Sequence, residues 1–237
     1  MKRVSLLTLA FAVLFLVFLN LLIVLRVKFP YYPLVSLQDI FDILTPVVLI
    51  PIYWQLFKGT SKAGPASNIL FLVLAAIWVE GHGIHLSANS IHNLFDALAR
   101  SPSTDLKSTD VFRLTYFFDE ELGHDIWYTG ILGMAAFLIY QAWHNPIGQT
   151  TWPVVLLAGL IHGFSYFAIF IEGQLVVLGL PFAAAVVALS LIFGREKLPA
   201  QPVLAFFFVA SLVAFLLFAG WGLYWRGFPQ FSDVGII

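Results

Sequence analysis

An all-α bundle of about seven membrane-crossing helices is the fold class this sequence predicts, and three observations predict it. The chain is 60% hydrophobic and only 11% charged. Its mean hydropathy is +0.92. Its apolar residues gather into runs near the 20 residues that a bilayer-spanning helix needs, separated by short polar or proline-bearing turns. A formal net charge of −1 gives no electrostatic basis for nucleic-acid binding. The chain contains no cysteine, which excludes disulfides, thiolate metal sites and cysteine nucleophiles.

The expected spans are 4–27, 40–57, 67–96, 112–142, 152–172, 175–194 and 202–225, within a single transmembrane domain over residues 1–237. The first follows Met1-Lys2-Arg3; it is too long for a signal peptide and no small-x-small cleavage site follows it, so it reads as a retained helix. Lys28-Phe-Pro-Tyr-Tyr-Pro33 stops it. The second span carries Pro46 and Pro51, which predict a kink, and the turn Lys58–Pro65 ends it. Ser108 or Thr109 can cap the fourth helix after the polar loop 100–111. A long apolar run is divided at Glu172-Gly-Gln174 into the fifth and sixth spans. Arg195–Pro199 precedes the seventh, which ends in the interfacial set Trp221, Tyr224, Trp225 and Arg226. Basic residues divide evenly between the two sides, so the unopposed Lys2-Arg3 decides the orientation. The N-terminus is expected in the cytoplasm.

The third span holds the most polar stretch, Glu80-Gly-His82-Gly-Ile-His85-Leu-Ser-Ala-Asn89-Ser-Ile-His92-Asn93. At about 100° per residue, His82, His85, Asn89, His92, Asn93 and Asp96 share one arc, and Glu80 projects from nearly the opposite side. Ionisable groups inside a membrane are costly and so point to function. The fourth span carries Asp119-Glu120-Glu121-Leu-Gly-His124-Asp125, in which Glu121 and His124 have the Glu-x-x-His spacing that lets one helix present two ligands to one ion. The fifth carries His162, Ser165 and Tyr166. Counting from the helix ends puts His85, Glu121, His124 and His162 at similar heights.

Imidazole with carboxylate suits Zn, Fe or Mn. The expected centre is a divalent metal, preferably Zn with Fe as the alternative, held by His85, His124, His162 and Glu121. Glu121 is the fourth ligand or the general base, and His92 and Glu120 take part in the chemistry. His82, Asn89, Asp119, Tyr166 and Glu80 support the ligands and the substrate. The expected function is hydrolysis of a membrane lipid or lipid-linked ester or amide. A di-iron oxidoreductase and a proton or metal-ion transporter are the alternatives.

Seven spans bearing intramembrane histidines and acids resemble, in architecture, the superfamily of alkaline ceramidases and adiponectin receptors. That resemblance implies a zinc hydrolase with a Ser and a His on an early helix and a His-x-x-x-His on the last. Here Ser87 and His92 are five apart and the last span has no histidine. The lack of a lysine in that span argues against a retinal protein.

Overall fold

The structure is a computed structural model that describes residues 2–21, 27–32, 34–60, 64–99, 106–145 and 148–236, with the side chains of residues 2 and 96–99 outside the description. Several sequence expectations fall outside it: the end of the first span (22–26), residues 61–63 and 100–105 of the polar turns, Pro146, and the side chain of Asp96.

The described residues are helical almost throughout, with an isolated β-bridge between Lys28 and Ser36. In chain order the helices are α1 (Lys2–Leu16), continued by a π-helical turn over Val17–Leu21, α2 (Leu37–Thr60) and α3 (Pro65–Ala99). They continue with α4 (Asp110–Tyr116), a π-helical segment Phe117–Gly123, α5 (His124–His144), α6 (Trp152–Glu172), α7 (Val176–Ile192) and α8 (Pro202–Trp225). Among the described residues six helices are long and apolar enough to cross a bilayer, and α7 is a shorter apolar one. The all-α membrane bundle is thus the observed fold.

Local chemistry explains the boundaries. Thr109 caps α4, its hydroxyl accepting from the Phe112 amide at 3.3 Å. Pro153 and Pro202 sit in the first turns of α6 and α8, where no helical N–H is lost. The α6–α7 turn falls where the sequence places it, with Gln174 in the left-handed region at φ 54°. Both prolines of α2 are accommodated within one continuous helix.

Two groups of helices make the bundle. In one, α6 lies between α1 and α8, and α7 packs on α8. In the other, α3 runs antiparallel to α5 and its π-helical lead-in, while α2 touches both groups. Lipid removes the hydrophobic drive between helices, so close packing must hold them together. Aromatic side chains supply much of it: Phe11 meets Tyr53 at 4.4 Å, Tyr53 meets Trp78 at 5.8 Å, and Phe57 stacks on Phe71 at 5.2 Å. The α3–α5 seam is closer still. A Cβ on Gly81 would run into the backbone of Trp127, and one on Gly130 would stand 2.5 Å from the amide nitrogen of Trp78.

Candidate functional site

The site grows from that seam. Ser67 and Gln141 mark one end of the α3–α5 contact, where Gln141 Nε2 donates to Ser67 Oγ at 3.4 Å. From there the register runs through Trp78 against Gly130 and Gly81 against Trp127 to His85 against Gly123. Gly123 has no side chain to hold the helices apart: a Cβ there would lie 2.9 Å from His85 Cα. This approach sets His85 beside the π-helical segment.

The π-helix decides which acid turns inward. Its i→i+5 bonds widen the turn, so each residue rotates by less than the 100° of an α-helix. Asp119 and His124, five apart, therefore line up along the inner face. Asp119 is fully buried and Glu121 is exposed. The sequence expectation named Glu121 as the ligand and Asp119 as its support, because it applied α-helical rotation throughout.

Asp119 is the centre of the cluster. Its Oδ2 lies 2.7 Å from His92 Nδ1, and its Oδ1 lies 2.9 Å from His85 Nδ1, out of line for a good hydrogen bond. His85 Nδ1 is also 3.4 Å from the Asp119 carbonyl. Glu120 adds a second carboxylate, 3.8 Å from His92 Nδ1 and 3.8 Å from His124 Nδ1. One ligand atom each from His92, Asp119 and Glu120 lie within 4.8 Å of one another, close enough to share a metal ion. Nitrogen and carboxylate oxygen together suit Zn, Fe or Mn.

Trp127 organises the imidazoles. His85 stacks on its indole at 5.2 Å, His82 meets it edge-on at 4.6 Å, and His85 and His124 face each other at 4.4 Å. His82 Nε2 donates to the Asp42 carbonyl at 2.7 Å, which ties the arc of α3 to α2. Trp127, one helical turn after His124, was a readable neighbour; the Asp42 carbonyl left no signal in the sequence.

Not all the expected ligands converge. His162 packs among Phe11, Phe15 and Phe206 at ring distances of 4.6–5.2 Å, and its Nδ1 has no hydrogen-bond partner among the described residues. Tyr166 is likewise occupied elsewhere, its hydroxyl donating to the Gly179 carbonyl at 2.9 Å and so joining α6 to α7. Asn89 accepts from Asn93 at 3.0 Å, and Glu80 is exposed at the edge of a groove of about 630 Å³ between α3 and α4. Helix length explains the separation. α3 has 35 residues, about 52 Å, against a hydrocarbon thickness of about 30 Å. His92 is about 37 Å along α3 from Ser67, whereas His162 sits at the middle of α6. Counting from span ends takes no account of how far each helix extends past its neighbours.

His162→Leu is expected to leave any bound metal in place and to be neutral or stabilising by about 1 kcal/mol, because an unsatisfied buried ring gives way to an apolar side chain among phenylalanines. Thermal unfolding with metal analysis of the purified variant checks this. Loss of metal would return His162 to the ligand set.

No family model matches the chain and no solved structure matches it. It is 27% identical over 198 residues to the ceroid-lipofuscinosis neuronal protein 6 homolog of Canis lupus familiaris, a stretch covering 76% of this chain and 60% of that relative. The chain thus spans about 60% of the length of the curated relative it matches. The likeness, with the six helices able to cross a bilayer, makes this a multi-pass membrane protein.

Proposed function

We propose that this membrane protein is a divalent-metal-dependent enzyme acting on a lipid or lipid-linked ester or amide, with His92, Asp119 and Glu120 holding the ion. What supports the reading is the meeting of those three groups around a carboxylate that is fully buried and already shared by two imidazoles. Burial of a carboxylate is costly unless cationic or hydrogen-bonding partners compensate it. A divalent ion there would supply Lewis-acid chemistry, with Zn preferred and Fe possible. His85 and His124 stand beside the ligands, where they can orient them and exchange protons. On this reading the cluster, about 37 Å along α3 from Ser67, lies at headgroup depth, where the ester and amide groups of membrane lipids lie. The orientation goes with this reading: the N-terminus lies in the cytoplasm and the cluster near the opposite face.

The di-iron alternative loses its Glu-x-x-His pair, because Glu121 is exposed while His124 is buried. A proton or ion pathway keeps one favouring observation, the close approach of both His85 and His92 to the Asp119 carboxylate.

The test is metal analysis of the purified full-length chain after incubation with Zn²⁺ and desalting. About one ion per chain is expected, falling roughly tenfold or more in His92→Ala. A wild-type protein that retains no metal, or a His92→Ala variant that retains it all, overturns the metal reading. Proton flux into liposomes bearing the metal-free protein would then favour the pathway.

A further inference from the structure

We propose that a cavity among the C-terminal halves of α1, α6 and α8 is a binding site for the acyl chain of a membrane phospholipid. The cavity is about 780 Å³ and lies apart from the metal cluster, which is built on α3 and the π-helical segment. Its size falls within the range of small-molecule sites. Its walls are mainly apolar, with Leu16 from α1, Phe164 and Ala168 from α6, and Leu217 and Trp221 from α8, and Asn20 and Glu172 are its polar lining residues.

The location argues for lipid. The rim residues Phe164, Leu216 and Tyr224 are 49%, 60% and 77% exposed, which water would penalise and hydrocarbon tolerates. Trp221, Tyr224 and Trp225 end α8 in an aromatic belt of the kind that marks the headgroup level. The ester of a lipid whose chain entered here would therefore lie at the depth of the belt. Asn20, on the π-helical end of α1, borders the cavity, and its Nδ2 has no hydrogen-bond partner among the described residues. An ester carbonyl is an acceptor of the kind this amide lacks, and leaving a buried donor unsatisfied is unfavourable.

One end of the cavity is closed by the chain's own C-terminal segment. Phe231 N donates to the Glu172 carboxylate at 2.6 Å, Gln230 Nε2 donates to the Glu172 carbonyl at 2.5 Å, and Trp221 Nε1 donates to the Pro229 carbonyl at 3.0 Å. Phe231 then packs on Phe167 and Trp221 at 5.8 and 5.0 Å. A carboxylate at a helix C-terminus is disfavoured by the helix dipole, and these tail donors compensate it. The closure is thus built from specific bonds and leaves the opening toward the bilayer.

Gly220 supplies the test. It lines the cavity, and a Cβ there meets nothing within 4 Å. Gly220→Phe therefore fills the space without moving a helix. The full-length chain would be purified in detergent, washed, and its retained phospholipid quantified by mass spectrometry. Quenching of tryptophan fluorescence by acyl-brominated phosphatidylcholine would be read in nanodiscs. The wild type is expected to retain about one phospholipid per chain; Gly220→Phe should lower this about tenfold, with unchanged unfolding temperature and metal content. Asn20→Leu should fall between them. Equal retention by wild type and Gly220→Phe overturns the proposal, as does a wild type that retains none. A wild-type dimer that Gly220→Phe dissociates would also overturn it, giving the cavity to a second copy of the chain. None of these outcomes bears on the metal cluster.

Discussion

Replacing Asp119 with Asn is expected to weaken metal retention by about 10–100-fold and to cost on the order of 3 kcal/mol of stability. The side chain is 0% exposed, so water cannot replace what it provides. Its two oxygens face Nδ1 of His92 and Nδ1 of His85 at 2.7 and 2.9 Å, on the same helix α3 but two turns apart. Asn offers one acceptor where the carboxylate offers two, and its amide nitrogen would face a ring nitrogen. The loss is thus of charge and of geometry together. Glu121→Gln is the matched control: same segment, exposed side chain, expected change in metal content and unfolding temperature near zero. Metal analysis and thermal unfolding of both purified variants decide the matter. If Asp119→Asn keeps its metal and its stability, the buried acid is not the centre of the site, and Asp119 reverts to a packing role.

Gly81→Ala should be nearly as damaging, although it removes no polar group. The added methyl would overlap the backbone of Trp127, and backbone cannot rotate aside as a side chain can. The seam must open, at a cost of about 3 kcal/mol, the upper part of the usual range for overpacking. Opening it draws His85 away from Asp119, so metal retention should fall as well. Gly83→Ala, two residues on, meets nothing within 4 Å and should gain up to about 1 kcal/mol from helix propensity. Opposite responses from neighbouring glycines on one helix are hard to explain by a general intolerance of the segment. Equal responses would show that α3 and α5 do not approach as closely as described.

The two variants also divide what was legible from what was not. The spans, the turn at Glu172–Gln174 and the Thr109 cap follow from local rules of apolar length, glycine and proline placement and side-chain capping. The polar arc of α3 was legible too, because α3 is a regular helix and its 100° rotation brings His82, His85 and His92 to one side. The acids were another matter. Glu121 looked like the ligand under α-helical rotation, while a π-helical segment turned Asp119 inward instead. Nothing in Phe117–Gly123 taken alone announces that wider turn.

By itself, then, the sequence determined that this is an all-α membrane bundle and which residues of α3 carry its polar face. Tertiary structure decided which acid meets those histidines and at what depth. The reason is physical. Hydropathy and helical periodicity are summed along one helix at a time, whereas the height of His162 relative to His85 depends on how far unequal helices extend past one another. The inward turn of Asp119 depends on contact across the Gly123–His85 approach, which exists only once the two helices are packed.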